Sequence, residues 1–301
     1  MAGSTLPGAT RAGAAPSLRS QQWWIDSLGL PAVWRTTTGA GLTVAVLDSG
    51  VQAALPDLRG AVRPGFDVAN PRSDGRSDTD PAGHGTSMAA FIAGRGRSGG
   101  IVGVAPSARI LPVVLADPGA TATVRALDRL TAMDRPPQIV NMSFAGASTC
   151  PPDVAAAVRR AVGGGMILVA AAGNQGALGN PPQAPADCPG VVAVAASDRA
   201  GSPWHAGSGG AYVALGAPGV GLVGYTPAGR TQPIDGSSAS AAIVSGVLAD
   251  LSAAYPRLPD RALVARLFAT ADTGHPGISA QRGRRNVAFG YGIVAAARAL
   301  T

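Results

Sequence analysis

The sequence predicts an α/β fold, a doubly wound and mostly parallel central sheet with helices on both faces. Short, continuous apolar runs rich in β-branched residues recur along the chain, as in strands that are buried on both faces. Helical stretches lie between them, so strands and helices alternate and right-handed crossovers follow. In such sheets the site lies beyond the carboxyl ends of the strands. The five runs are 43–47, 110–115, 139–142, 166–170 and 191–195.

Two of the intervening stretches have the pattern of crossover helices. In residues 123–133, Val124, Leu127 and Leu130 fall on one helical face. Residues 154–162 follow Asp153, which is predicted to cap the N-terminus of that helix. Helices of this kind are the usual connection between neighbouring parallel strands.

Length and composition favour one large domain. The chain has 301 residues, of which 46% are hydrophobic and 14% charged, a balance that excludes a disordered chain. A single α/β unit can reach about 250 residues. We therefore expect a flexible segment over 1–20 and one domain over 21–301. Residues 1–20 lack the apolar core of a signal peptide, and no apolar run reaches the roughly 18 residues of a membrane span.

The charge distribution excludes nucleic acid as the expected partner. The net charge is +7, and all 24 basic residues are arginine. Nucleic-acid binding would require these arginines to cluster on one face, but they are scattered along the chain. Only 4% of the residues are aromatic, too few for a platform on which bases stack.

Four short segments place reactive side chains where strands or helices end. Asp48 closes the first predicted strand, and His84 stands between two glycines ahead of a small-residue helix. Asn174 follows a hydrophobic strand, and Ser238 enters a long apolar helix whose N-terminus adds a positive electrostatic bias. Each residue alone is explained as a turn or cap. Together they form an acid, a base, an oxyanion donor and a nucleophile in that order.

With these segments in this order, the sequence resembles the subtilisin-like serine proteases from about residue 21 to residue 300. Within that family it is most similar to the mycosins of actinobacterial type VII secretion. The similarity rests on Gln22-Trp23-Trp24, on the acidic segment 74–80 and on segment 100–106 ahead of the next strand. The resemblance implies a subtilisin-like fold and a serine endopeptidase that acts on protein or peptide substrates.

The resemblance also implies catalytic roles at matching positions. Asp48 would orient and stabilise the base, His84 would be the general base and acid, and Ser238 the nucleophile that forms an acyl-enzyme. Asn174 would donate a hydrogen bond to the oxyanion. An extended substrate would pair with the cleft backbone as an added strand. The cleft would be lined by Ser143, Phe144, Ala145 and Gly146 and by Ala171, Ala172 and Gly173.

Two departures from the family pattern lie beside the nucleophile. Ser237 fills the position of the usual threonine, and Ala242 stands where the family has proline. They motivate an alternative hypothesis, a subtilase-fold scaffold that binds a secretion partner and has weak or dispensable peptidase activity. Ser87 also matches the nucleophile consensus, but it directly follows the base motif and would leave Ser238 unexplained. An α/β-hydrolase esterase fits less well, because the Gly-x-Ser-x-Gly elbow is absent.

The two cysteines fit no metal-ligand spacing. By the resemblance, Cys150 and Cys188 lie on loops beside the substrate channel, where a disulfide would restrain one wall of the cleft. A disulfide requires a compartment outside the reducing cytosol. We therefore expect an extracytoplasmic protein, secreted or in the cell envelope, with the signal peptide and membrane anchor of mycosins absent from this chain.

No cofactor and no metal site are expected for this chain. One alternative stays open, a structural calcium ion near Asp74, Asp78 and Asp80, whose alternating carboxylates could supply oxygen ligands. The expected partners are a protein or peptide substrate and, by the resemblance to mycosins, a component of a type VII secretion system.

Overall fold

A computed structural model of the chain describes residues 17–275 and 285–301. The predicted flexible segment 1–20 lies almost wholly outside these ranges, and a helix already begins at Leu18. The strands are β1 (Thr43–Asp48), β2 (Phe66–Asp67), β3 (Arg109–Val114), β4 (Ile139–Met142), β5 (Gly146–Ala147), β6 (Ile167–Ala171), β7 (Gln183–Ala184), β8 (Val191–Ser197), β9 (Val213–Pro218), β10 (Leu222–Tyr225) and β11 (Thr231–Ile234). The α-helices are α1 (Leu18–Gln21), α2 (Trp24–Ser27), α3 (Leu30–Val33), α4 (His84–Ala93), α5 (Ala120–Thr131), α6 (Pro152–Gly163), α7 (Ser237–Ala254), α8 (Asp260–Ala269) and α9 (Ala296–Ala299).

In the described part of the chain, seven strands form one central sheet in the order β2-β3-β1-β4-β6-β8-β9. All neighbouring pairs in it are parallel. Strands β2 and β3 lie on one side of β1, and β4, β6, β8 and β9 lie on the other. The sheet is therefore doubly wound, with its switch point between β1 and β4. The predicted fold class is confirmed. All five predicted strands belong to this sheet, with boundaries that differ by two residues or fewer.

Helices cover both faces of the sheet. Along β1, Val44 and Val46 join a buried core that includes residues of α4 and α7. Ala45 and Leu47 join a second core with residues of α5 and α6. Successive side chains of a strand point to opposite faces, so each face packs against its own pair of helices. Burial on both faces is the reason that the strands read as continuous apolar runs.

The helix predicted over 154–162 is observed as α6, but its predicted cap is wrong. The helix starts at Pro152, and Pro151 occupies the N-cap position. Proline suits the first helical position because its fixed backbone angle is already helical and it has no N–H to satisfy. Asp153 therefore lies in the first turn, where its carboxylate still interacts favourably with the helix N-terminus.

The fold brings the candidate site residues to one edge of the sheet. Asp48 is the last residue of β1, and the cleft segments follow β4 and β6, which are neighbours in the sheet. Helices α4 and α7, which begin at His84 and Ser237, are in contact beneath the site. Carboxyl ends of parallel strands meet at the same edge, so this edge collects every predicted catalytic element.

Helix α7 has the length and composition of a membrane span, alone among the helices of residues 17–275 and 285–301. Its 18 residues have a mean hydropathy of 1.3, and 78% of them are buried inside the protein. The core helix of a folded domain has the same properties, so α7 is weak evidence for a span.

Candidate active site

The predicted acid and base are in direct contact. His84 Nδ1 lies 2.8 Å from Oδ1 and 2.9 Å from Oδ2 of Asp48. Asp48 is 8% exposed, and its Oδ1 also accepts a hydrogen bond from the Ser49 amide at 2.8 Å. When Nδ1 donates to the carboxylate, Nε2 on the other side of the ring is the nitrogen that can accept a proton.

A glycine allows His84 to begin its helix at this position. Gly83 precedes α4 in the left-handed region, with φ of +68°. A Cβ on Gly83 would lie 2.6 Å from the backbone oxygen of Tyr225, so a side chain there would collide with β10. The glycine before the histidine is thus required by both backbone conformation and space.

The predicted nucleophile lies in the first turn of α7. Ser238 is half-buried, and its Oγ donates a hydrogen bond to the backbone oxygen of Ser143 at 2.9 Å. No hydrogen bond between Ser238 and His84 occurs among the described residues, so the hydroxyl must rotate away from Ser143 to reach the imidazole. Catalytic hydrogen bonds are often long or poorly aligned before substrate binds.

The competing serine, Ser87, forms two hydrogen bonds inside the core. It is fully buried in α4, and its Oγ donates to the backbone oxygen of Tyr225 at 3.0 Å. The same Oγ accepts from the Tyr225 amide at 2.9 Å. These two bonds tie α4 to β10, and they leave Ser87 without access to a substrate.

The amide of Asn174 is oriented by Ser237. Asn174 Oδ1 accepts from the Ser237 backbone N–H at 3.0 Å and from its Oγ at 2.9 Å. With Oδ1 held there, Nδ2 points the other way, and it would lie 3.0 Å from a Cβ built on Gly236, whose φ is +147°. Asn174 is exposed, so its Nδ2 is a donor available at the surface beside the predicted nucleophile. Serine at position 237 keeps the hydroxyl of the threonine that the family usually has there, and this hydroxyl makes the hydrogen bond to Asn174.

Both predicted cleft segments contact the start of α7. Ser143 contacts Ser238 as described, and Gly173 donates its backbone N–H to Ser237 Oγ at 3.0 Å. Gly146 is exposed and pairs with Ala184 in the small antiparallel sheet of β5 and β7. Ser143 of one segment and Gly173 of the other therefore flank the start of α7.

Comparison with known proteins identifies the family. The sequence profile of the subtilase family matches residues 39–292. The chain belongs to the subtilase family. A thermostable alkaline protease of Halalkalibacterium halodurans is 34% identical over 264 residues, which cover 87% of this chain and 68% of that protein. A subtilisin of Bacillus pumilus is 32% identical over 260 residues, covering 84% of this chain and 92% of that protein.

Solved structures agree with this assignment. The MycP3 protease from the type VII (ESX-3) secretion system matches with a TM-score of 0.78 at 31% identity, over 93% of this chain and 88% of that one. The predicted family, fold and enzyme class are confirmed. This subtilase is a subtilisin-like serine endopeptidase, similar to mycosin proteases, and it acts on protein substrates.

Three aspartates set the charge state of His84 in this subtilase. Burial by itself lowers the pKa of His84, but the charge and hydrogen bond of Asp48 act against it. The charges of Asp80 and Asp78 add to the effect of Asp48, and together they raise the pKa of His84 above its ordinary value of 6.5. The imidazolium that forms when His84 takes a proton is therefore stabilised.

The acidic loop of this subtilase is organised by its own hydrogen bonds. Asp78 Oδ1 accepts from Ser49 Oγ at 2.7 Å, and its Oδ2 accepts from the Thr86 amide at 2.8 Å. Asp80 Oδ2 accepts from the His84 amide at 3.0 Å. The loop thus holds the start of α4 against the end of β1.

The aspartates of the open calcium alternative accept hydrogen bonds from the chain itself. Asp74 Oδ1 accepts from the Arg76 amide at 3.1 Å. Asp78 accepts from Ser49 and Thr86, and Asp80 accepts from the His84 amide. Among the described residues, the three carboxylates do not form a group whose oxygens lie close enough to share an ion. Calcium requires six to eight oxygens that converge on one point.

The cysteines of the subtilase, Cys150 and Cys188, are joined by a disulfide with an S–S distance of 1.95 Å. Beside it, Asp187 Oδ2 accepts from the Cys150 amide at 3.0 Å. Asp187 and the two sulfur atoms lie close enough to hold a metal, but sulfurs in a disulfide are not the thiolates that a metal requires. The bond connects the loop after Gly146 to the loop before β8.

Two residues of the site were not predicted from the sequence. Ser237 orients Asn174, whereas the sequence indicates only that it fills the position of the family's threonine. Gln183 is fully buried, and a Cβ on Gly173 would lie 2.9 Å from its Cγ. Its Nε2 donates to Gln175 Oε1 at 2.8 Å. A single glutamine in a proline-rich loop has no pattern that points to a site.

Proposed function

We propose that this subtilase hydrolyses peptide bonds with Asp48, His84 and Ser238 as its catalytic triad. The observation that carries the proposal is the 2.8 Å contact between His84 Nδ1 and Asp48 Oδ1 at the carboxyl end of β1. Helix α7 begins at the same edge, so Ser238 stands among residues that can activate its hydroxyl and stabilise negative charge.

In the proposed mechanism, His84 Nε2 takes the proton from Ser238 Oγ as that oxygen attacks the carbonyl carbon of the substrate. Asp48 holds the imidazole and stabilises its positive charge. His84 then gives the proton to the leaving amine, and an acyl-enzyme remains on Ser238. Water, deprotonated by the same imidazole, releases the acyl group and restores the free enzyme.

The oxyanion of the tetrahedral intermediate forms close to two donors. Nδ2 of Asn174 and the backbone N–H of Ser238 are proposed to bind it. Ser237 holds Oδ1 of Asn174, so Nδ2 is oriented before substrate arrives. Donors that need no reorientation stabilise the transition state without a further cost in free energy.

A fluorophosphonate probe tests the assignment of the nucleophile. We expect the probe to label the wild-type protein at Ser238, and Ser238→Ala to lose both labelling and peptidase activity. Ser87→Ala is the matched control, because Ser87 matches the same local consensus but is buried. Full activity in Ser238→Ala together with a loss in Ser87→Ala would overturn the assignment.

We further propose that the subtilase works outside the cytosol and in the context of a type VII secretion system. The similarity to the MycP3 protease supports the secretion context. The disulfide supports an oxidising compartment. Fractionation of cells that express the natural gene, with a cytosolic marker enzyme as control, tests the location. Recovery of the protein with the cytosolic marker would contradict it.

The alternative hypothesis of a scaffold with dispensable peptidase activity has no support from the comparisons. The matched proteins include an alkaline protease, a subtilisin and a secretion-system protease. Of the two departures that motivated it, the one at Ser237 preserves the hydroxyl that orients Asn174. The fluorophosphonate experiment separates the two hypotheses, because a scaffold without an activated serine would stay unlabelled.

A further inference from the structure

A chain of buried hydrogen bonds runs from the middle of α7 to the backbone of the nucleophile. Ser245 Oγ bonds to Asn141 Oδ1 at 3.0 Å, and Asn141 Nδ2 bonds to Ser143 Oγ at 2.9 Å. Ser143 Oγ bonds to the backbone oxygen of Ser238 at 2.9 Å. Ser245 and Asn141 are fully buried, and Ser143 is 3% exposed. We call Ser245, Asn141 and Ser143 the buried relay.

The chemistry of the end groups fixes the direction of every bond in the relay. The carbonyl oxygen of Ser238 can only accept, so Ser143 must donate its single hydroxyl proton to it. Ser143 Oγ then has only acceptor capacity left, and Asn141 must present its NH2 group. The Asn141 oxygen therefore faces Ser245, whose hydroxyl donates. With each member satisfied by its neighbour, the relay has one arrangement of donors and acceptors.

The relay and the nucleophile form a closed contact between the cleft wall and α7. Ser143 Oγ donates to the Ser238 carbonyl while Ser238 Oγ donates to the Ser143 carbonyl. Ser245 lies seven residues after Ser238, which is two helical turns, or roughly 10 Å, along the same face of α7. Asn141 belongs to β4. The strand end is thus attached to the helix at two points, one of them the nucleophile itself.

The hydroxyl of Ser245 does not make the bond that is usual for its position. A serine inside a helix commonly donates to the carbonyl four residues earlier. Ser245 instead donates across to β4, at a residue that is 104 positions away in the chain. A buried polar side chain that leaves its own helix in this way fixes the separation of the two elements.

We propose that Ser245 and Asn141 are positioning residues for the peptidase reaction, because they hold Ser238 through Ser143. The proposal rests on the proposed role of Ser238 as nucleophile. The backbone of Ser238 carries both the attacking hydroxyl and one oxyanion donor, so a shift of its carbonyl displaces both. Ser245 itself lies two helical turns from the predicted cleft backbone, so loss of its hydrogen bond is expected to lower kcat more than it changes KM.

The test compares Ser245→Ala with Ser240→Ala. Ser240 is an equally buried serine of α7, and its single hydroxyl proton is shared between the backbone oxygens of Ala217 and Pro218, at 3.0 and 3.1 Å from Oγ and away from the relay. We measure kcat and KM on a peptide substrate, the rate of fluorophosphonate labelling and Tm. A misplaced catalytic group costs up to about 100-fold in rate. We expect about a tenfold loss of kcat and of labelling rate in Ser245→Ala alone.

Both variants lose a buried hydrogen bond, so a similar fall in Tm is expected in each. Ser245→Thr keeps the hydroxyl donor and is expected to recover most of the labelling rate. Equal kcat and labelling rates in Ser245→Ala and Ser240→Ala would overturn the positioning role and leave the relay as a structural feature. A wild-type protein that the probe does not label at Ser238 would instead overturn the proposed nucleophile, and the positioning role with it.

Discussion

Three carboxylates raise the pKa of His84, the proposed catalytic base. Asp48 contacts His84 directly, whereas Asp80 and Asp78 act through their charge and through the backbone at the start of α4. All three raise the pKa of His84 against the opposing effect of burial. Since the base must be neutral to accept a proton, activity is expected to rise with pH through a pKa above 6.5.

Removing the charge of Asp80 tests this account. We expect Asp80→Asn to lower the pKa of His84, because the imidazolium loses a stabilising negative charge. The acidic limb of the kcat/KM profile then moves to lower pH. Asp74→Asn is the matched control, since Asp74 belongs to the same loop but does not act on His84. If the acidic limb of the kcat/KM profile of Asp80→Asn stays at the wild-type pH, the charge of Asp80 does not change the pKa of His84.

The proposed role of Asn174 as oxyanion donor leads to a second prediction for a single residue. We expect Asn174→Ala to lower kcat by roughly 10²- to 10³-fold, as for the loss of one oxyanion donor in other enzymes. KM changes little, because the donor acts on charge that develops only in the transition state. Steady-state kinetics on one peptide substrate measures both constants. An equal loss confined to KM would place Asn174 in substrate binding.

At the scale of elements, α7 carries an unpaired acid in the core. Asp250 is fully buried, and neither carboxylate oxygen has a hydrogen-bond partner. Burial raises the pKa of Asp250 to about 8. A Cβ built on Gly39 would lie 3.5 Å from its Oδ1, so the carboxyl group packs under the loop before β1. The folded protein therefore keeps a proton on Asp250 that the unfolded chain releases at much lower pH.

This difference makes the stability of the fold depend on pH. The pKa of Asp250 is raised in the folded state, so the folded protein binds a proton that the unfolded chain does not bind between these two pKa values. The free energy of unfolding therefore falls as pH rises from about 4 to about 8. We expect Asp250→Asn to raise the free energy of unfolding at pH 8 by on the order of 3 kcal/mol, with a smaller gain at pH 5. Urea denaturation at the two pH values measures it.

An exposed acid provides the control for this comparison. Asp117 lies on the surface after β3, and Asp117→Asn is expected to change stability little at either pH. A gain for Asp250→Asn that is the same at pH 5 and pH 8 would show that Asp250 does not titrate between them.

At the scale of the molecule, the predicted cleft consists of segments that are far apart in the chain. The disulfide between Cys150 and Cys188 closes a separation of 38 residues and joins the loops that follow the two cleft segments. The small sheet of β5 and β7 connects the same two loops. One wall of the predicted cleft is thus held by a covalent bond and by backbone pairing together.

We expect the double variant Cys150→Ser, Cys188→Ser to lose roughly 3–4 kcal/mol of unfolding free energy, because the unfolded chain regains the entropy of an open loop. Chemical denaturation without reductant measures the loss. Thiol titration of the denatured, unreduced wild type is the control and is expected to find no free thiol. Two free thiols in that titration would contradict the disulfide.

Several features follow from local patterns in the sequence. The strands predicted over 139–142 and 191–195 are visible as apolar runs because both faces of the sheet are buried. Asp48 and His84 are recognisable because an acid ending a strand and a histidine between glycines are local arrangements. The order of the reactive residues then led to the subtilase family, which the comparisons confirm.

The tertiary structure decided which side chains act on one another. Ser237 reaches Asn174 across 63 positions, Ser245 reaches Asn141 across 104, and the carboxyl group of Asp250 is left without a partner. The sequence pattern shows only small or polar residues in or beside apolar helices and strands. Hydrogen bonds of this kind depend on distance and direction between separate elements, and those are determined only when the sheet and helices pack.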